Sequence, residues 1–191
     1  GGVDDVVRVA TENLTSEDTI SGGVGADIIK MIDASTVSDA DFTKITSIEK
    51  IIQENSSHNM TLTLGAKAFA AGIAKVDLGS GTNRVTSVDG YTGALEVNLS
   101  SGKDIIDASA QPSGSLTISV AQGSITSDDT LKGGSATDIL KITAGGTALT
   151  SADVAGISAF DQIKILTNTA FGITTDNGNV AAGATTIVDA T

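Results

Sequence analysis

The residues best suited to chemistry are aspartates set among glycines at a regular spacing. Gly22-Gly23-Val24-Gly25-Ala26-Asp27-Ile28-Ile29-Lys30 fits the nonapeptide G-G-x-G-x-D-x-U-x, with U a large apolar residue. Glycines let the chain turn sharply and expose carbonyl oxygens, and the aspartate at position six adds an anionic oxygen. An oxygen-rich turn suits a hard cation, and calcium takes about six to eight oxygen ligands. The preceding nonapeptide, Asn13 to Ser21, puts Asp18 at position six. Ser124 to Lys132 puts Asp129 there, Gly133 to Lys141 puts Asp138 there, and Leu99 to Asp107 puts Asp104 there. Leu78 to Thr86 carries Asn83 in the same frame. The candidate metal positions are therefore Asp18, Gly22, Gly23, Gly25, Asp27, Asn83, Asp104, Asp129, Gly133 and Asp138. A competing role needs no ion: turn aspartates also accept hydrogen bonds from nearby backbone N–H groups.

These turns belong to an internal repeat. Leu14 to Lys30 (LTSEDTISGGVGADIIK) matches Ile125 to Lys141 (ITSDDTLKGGSATDILK) at nine of seventeen positions. The match continues from Ser38 to Ile51 into Thr150 to Ile163. A shorter repeat lies between the copies, 21 residues apart, and pairs Asn83 with Asp104, Val85 with Ile106, Leu95 with Leu116 and Val97 with Ile118. Residues 1–124 form the first long repeat, with the 21-residue coils at 78–120, and residues 125–191 form an incomplete second one. Repeats of this kind stack neighbour on neighbour in a quasi-one-dimensional solenoid. Leu95-Glu96-Val97-Asn98-Leu99 and Leu116-Thr117-Ile118-Ser119-Val120 alternate apolar and polar residues, so one face of each strand turns inward. The spacing predicts an all-β, parallel β-solenoid with coils of roughly 20 residues. Short helical turns are expected at Ala66 to Ala71 and within Ser38 to Thr46. An antiparallel β-sandwich is the alternative architecture.

Composition narrows the function. The chain has 191 residues, a net charge of −12 and no cysteine, which removes disulfide, zinc-thiolate and cysteine-nucleophile chemistry. A polyanion repels phosphate backbones and anionic lipid, so nucleic-acid binding is not expected, and with no apolar run of 18 residues membrane insertion is not expected either. The start at Gly1, without Met, reads as a piece of a longer protein. His58 is the single histidine and lies in a polar stretch, NSSHN, without a catalytic partner. Asp39 and Asp41 align with Ser151 and Asp153, so only one carboxylate of that pair persists. Aromatic residues make up 3% of the chain, too few for a sugar-stacking row. Catalysis is therefore not expected.

The phrases SDADFTKITSIEKI, TLGAKAFAAGIAKVDLGSGTN, DGYTGAL and DIIDASA resemble recurring blocks in the repeat regions of large RTX-type proteins exported by bacterial type I secretion, including surface-layer proteins and giant adhesins. The resemblance implies a right-handed parallel β-solenoid, calcium-dependent folding outside the cell, and a mechanical or adhesive role. It implies neighbouring copies or segments of the same surface protein as partners, with cell-surface polysaccharide as a further one. The chain departs from the regular RTX pattern in three ways. Each nonapeptide run lasts two units, and position 45, eighteen past Asp27, is Ile. In the second copy, Ser135, Ala136 and Thr137 replace the x-G-x step. The alternative function is a carbohydrate-binding or carbohydrate-modifying solenoid module of a secreted enzyme.

Overall fold

The computed structural model describes residues 2–10, 14–143, 148–166, 173–174 and 180–188, the last stretch as backbone. The chain is a parallel β-solenoid of about seven turns. One side is a nine-stranded sheet. Its strands, in spatial order, are β1 (Val6–Val9), β3 (Ile28–Met31), β6 (Lys50–Gln53), β8 (Lys75–Asp77), β10 (Leu95–Asn98), β12 (Leu116–Val120), β14 (Ile139–Ile142), β16 (Phe160–Ile165) and β17 (Val180–Val188). The facing side is six-stranded, with β4 (Ser35–Val37), β7 (Met60–Leu64), β9 (Thr82–Ser87), β11 (Lys103–Asp107), β13 (Thr130–Lys132) and β15 (Ile157–Ser158). β2 (Ile20–Ser21) pairs with β5 (Ile45–Thr46) alone. Every register between these strands is parallel, which rules out the β-sandwich.

The alternating pattern read from the sequence builds the core directly. On the nine-stranded side Val7, Ile29, Ile51, Val76, Val97, Ile118, Leu140 and Ile163 are successive register partners. Across from them run Val37, Leu62, Val85, Ile106, Leu131 and Ile157. All but the half-buried Val7 are buried. Branched aliphatic side chains interlock between two closely spaced parallel sheets, where large aromatics would hold the sheets apart. Each fully buried side chain contributes about 1.5–3 kcal/mol of transfer free energy.

The 21-residue repeat sets the pairing of the central coils. Val85 pairs with Ile106, Asn83 with Asp104, Leu95 with Leu116 and Val97 with Ile118, as the sequence spacing predicts. The nine-stranded sheet continues across residues 124 and 125, so the boundary between the long repeats is not a break in the fold. Two short insertions leave the solenoid. A 3₁₀ turn spans Asp39–Phe42, and helix α1 spans Ala66–Ala71, ending on left-handed Gly72 with φ of 102°. Both stand where helical turns are expected. Of the third part of the second copy, residues 172–190, the described residues are 173–174 and the backbone of β17. No helix among the described residues is long and apolar enough to cross a membrane.

Candidate functional site

Asp27, Asp129 and Asp138 lie immediately before β3, β13 and β14, Asp18 lies two residues before β2, and Asp104 is the second residue of β11. Asp27, Asp104, Asp129 and Asp138 are buried, as is Asn83, whereas Asp18 is only half-buried. The apolar residue two positions after each aspartate explains the burial. Ile29, Ile106, Leu131 and Leu140 point into the core, and alternation turns the residue two before them inward as well.

Most of these carboxylates tie one coil to the next. Asp27 Oδ1 accepts the N–H of Asp5 from the coil before, at 2.7 Å, and the Asp27 N–H donates to Glu49 Oε2 in the coil after, at 2.7 Å. The second copy repeats the arrangement. Asp138 Oδ1 accepts the Leu116 N–H at 2.7 Å, and the Asp138 N–H donates to Asp161 Oδ2 at 2.8 Å. Asp138 Oδ2 also accepts the Gly134 N–H at 2.5 Å. Burial raises the Asp138 carboxyl above the ordinary aspartate range, and the two N–H donors only partly offset it.

A second column crosses the six-stranded side. Asn83 Oδ1 accepts the Met60 N–H at 3.1 Å, and Asn83 Nδ2 donates to Asp104 Oδ1 at 2.9 Å. The Asp104 N–H donates to Asp129 Oδ1 at 2.8 Å. Asp129 stands 25 residues after Asp104 but still falls in register with it, one residue before the paired Ile105 and Thr130. The extra length is taken up by a 3₁₀ turn at Gln122–Ser124.

Asp18 and Asp129 also close a local box. Asp18 Oδ2 accepts the Thr15 N–H and hydroxyl at 2.7 and 2.9 Å, and Asp129 Oδ2 accepts those of Thr126 at 2.8 and 3.3 Å. Ser38 with Asp41, and Thr150 with Asp153, form the same box. This box accounts for the persistence of Asp41 as Asp153 between the copies. Its signal is a Ser or Thr three residues before an Asp, the spacing of a reciprocal cap.

The glycines divide into two kinds. Gly23 and Gly25 have φ of 99° and 142°, which side chains rarely adopt. Gly22 and Gly133 have ordinary φ values but no room. A Cβ on Gly22 would overlap Ser47 O and Asp27 Oδ2, and one on Gly133 would overlap Ala159 O and meet Asp138 Oδ2. Among the described residues, Ser47 and Ala159 are themselves the two non-glycine residues at positive φ, 54° and 60°. The repeat thus preserves a small cradle in which a buried carboxylate oxygen and a backbone carbonyl face the same glycine.

This cradle tests the fit of calcium. Asp27 Oδ2 is buried and accepts no hydrogen bond from the protein, and Ser47 O borders the same space. A hard cation fits the chemistry of that pair. Both Asp138 oxygens accept backbone N–H groups, Asp129 is occupied on both oxygens, and Asn83 is spent on the column. These residues offer a cation little. Among the described residues, no three or more His, Asp or Glu side chains gather as a metal-holding group, so backbone carbonyls would have to complete any coordination shell.

Several structural roles escaped the sequence reading. Asp39 accepts the N–H groups of Gly65 and Ala68 through Oδ1, at 2.7 and 2.9 Å, and that of Lys67 through Oδ2, at 3.3 Å, so it caps α1 from the previous coil. Gln53 points inward, bonds the His58 carbonyl and accepts the Gly79 N–H at 2.9 Å. A polar residue at the inward position of an alternating strand was its one signal. Tyr91 is buried, donates its O–H to Ile73 O at 2.5 Å and meets the Phe69 ring edge-on. It is a core residue of the lateral insertion.

Compared with family models, curated proteins and solved structures, the chain matches none of them.

Proposed function

We propose that the chain is a structural, non-catalytic segment of a secreted bacterial cell-surface protein, either a unit of a surface lattice or part of an adhesin stalk. The observation that supports this reading is the uninterrupted stack of parallel coils. Nine strands at about 4.8 Å give a rod roughly 40 Å long. Every coil is bonded to its neighbours by backbone ladders, and at several turns also by buried carboxylates. Such a rod transmits load along its axis and presents flat sheet faces to neighbouring copies or to surface polysaccharide. Labelling and protease treatment of intact producing cells tests the location, and electron microscopy of the parent protein separates a sheet from a stalk. A purely intracellular location would overturn the reading.

Calcium belongs to this proposal at one turn. Asp27, with the Ser47 carbonyl beside it, is the place in the first repeat that fits the ion, which when bound supplies positive charge to a buried carboxylate. Asp27→Asn should therefore remove most of any calcium-dependent rise in melting temperature, while Asp138→Asn should leave that rise intact. An equal fall for Asp27→Asn in calcium and in chelator would sink the ion's role.

A further inference from the structure

The two copies of the long repeat hold their charges in different places. In the first copy Glu17, at the turn before β2, pairs with Lys44 at 2.8 Å. On the outer face of the nine-stranded sheet Glu54 pairs with Arg8 and, at 3.7 Å, with Lys30. Backbone bonds fix the equivalent places in the second copy. The Ile20 N–H donates to Lys44 O as the Leu131 N–H donates to Gly156 O, and the Glu54 N–H donates to Met31 O as the Leu166 N–H donates to Ile142 O. Gly156 therefore stands where the first copy has Lys44, and a Cβ there would overlap Asp129 O. Leu166 stands where the first copy has Glu54. Register adds a third difference, since Ile52 lies beside Lys30 but Lys164 lies beside Lys141.

These exchanges leave the second copy with charges of opposite sign on two separate surfaces. Lys141 and Lys164 are half-buried side by side on the outer sheet face, on strands about 4.8 Å apart. Their neighbours on that face, Thr117, Ser119 and Gln162, are uncharged. Like charges on paired positions weaken a sheet. At the turns before β13 and β15, Asp128 is exposed and Asp153 is half-buried. Among the described residues, neither these lysines nor these aspartates take part in a salt bridge.

We propose that the Lys141–Lys164 face docks onto the Asp128–Asp153 turns of a second copy of the chain. With a net charge of −12, copies repel one another over most of their surfaces, and this pairing makes close approach attractive. The two patches are different surfaces of one molecule, so the contact is heterologous and propagates from copy to copy. Each contact is weak, as exposed ion pairs are, and salt screens it. The inference deepens the reading of the chain as a surface-lattice unit and rests on that reading for its purpose.

Carbodiimide coupling, which joins an amine to a carboxylate already in contact, tests the pairing on an equal mixture of nitrogen-15-labelled and unlabelled chain, in chelator and at low salt. Mixed-isotope peptides joining Lys141 or Lys164 to Asp128 or Asp153 are expected, and they should disappear at about 0.5 M salt, where charges are screened within about 4 Å. Lys164→Glu and Asp128→Lys should each lose the coupling between positions 164 and 128. A mixture of the two variants should regain it, because the exchanged charges match again. The parent's own coupling keeps the proposal testable if a variant does not fold. Absence of mixed-isotope peptides, mixed-isotope peptides that join other positions instead, or a variant mixture that does not regain the coupling overturns the proposal. So does retention of the parent on immobilised polygalacturonate that Lys164→Glu abolishes, with no coupling between copies, since the face would then serve an anionic polysaccharide. Purified chain is used throughout, so a failure here leaves the surface location standing, and an intracellular location would overturn that reading without touching this contact.

Discussion

At the scale of single residues, a carboxylate here is worth what its oxygens touch. Asp138 spends both oxygens on buried N–H groups, of Leu116 and Gly134. Asp138→Asn keeps one acceptor and turns an amide N–H₂ toward a donor, so it should cost about 1–3 kcal/mol in chemical denaturation. Asp39 holds three N–H groups of an insertion one coil away. Asp39→Ala should lower stability by about 1–2 kcal/mol, and hydrogen exchange should rise first over Ala66–Ala71. Asp153 is half-buried, and its bonds from the Thr150 hydroxyl and N–H hold its carboxyl below the ordinary aspartate range. The support it gives is present above that range and disappears as pH falls through the folded-state value.

At the scale of elements, strands pair by matched aliphatic columns and turns pair by shape. Ile118 stands in the middle of the nine-stranded column, between Val97 and Leu140. Ile118→Ala should cost about 2–5 kcal/mol, because neighbours locked in a ladder collapse poorly into the cavity. Turn stacking is just as strict. Gly102 has φ of 125°, and a Cβ there would overlap the carbonyls of Ser80 and Gly81 in the preceding turn. Gly102→Ala should destabilise by about 1–3 kcal/mol, mostly through backbone strain, and Gly123→Ala, with open space around it, should not. Outward pairs such as Lys75 with Glu96 are partly exposed and contribute little by comparison.

At the scale of the whole molecule, the balance of titrating groups sets the pH dependence. Asp104 and Asp138 are raised by burial, while Glu17, through its hydrogen bond to Lys44, and Asp153 are lowered. Above the ordinary carboxylate range the lowered groups are fully ionised and add no further slope. The raised groups then dominate, so stability should decline as pH rises from about 4 to 7, which denaturant midpoints across that interval would reveal. The growing negative charge acts in the same direction. A flat profile would mean that the buried aspartates are better solvated than their surroundings imply.

Much of this architecture was legible along the chain. The period-two alternation of Leu95 to Leu99 and Leu116 to Val120, and the 21-residue offset, determined which strands pair and which residues meet, because a one-residue slip would put every polar side chain into the core. The repeats also located the turns and their aspartates. What each aspartate does was decided only in three dimensions. Asp27 and Asp138 occupy the same place in the repeat, yet one leaves a buried oxygen bare and the other satisfies both. Asp129 reached Asp104 only because a 3₁₀ turn absorbed the longer spacing. Asp39 found its partner in a helix 28 residues away. Sequence periodicity encodes which face a side chain takes. The hydrogen-bond partner of a buried oxygen depends on distances of a few tenths of an ångström between coils, and those are set by the packing of the whole stack.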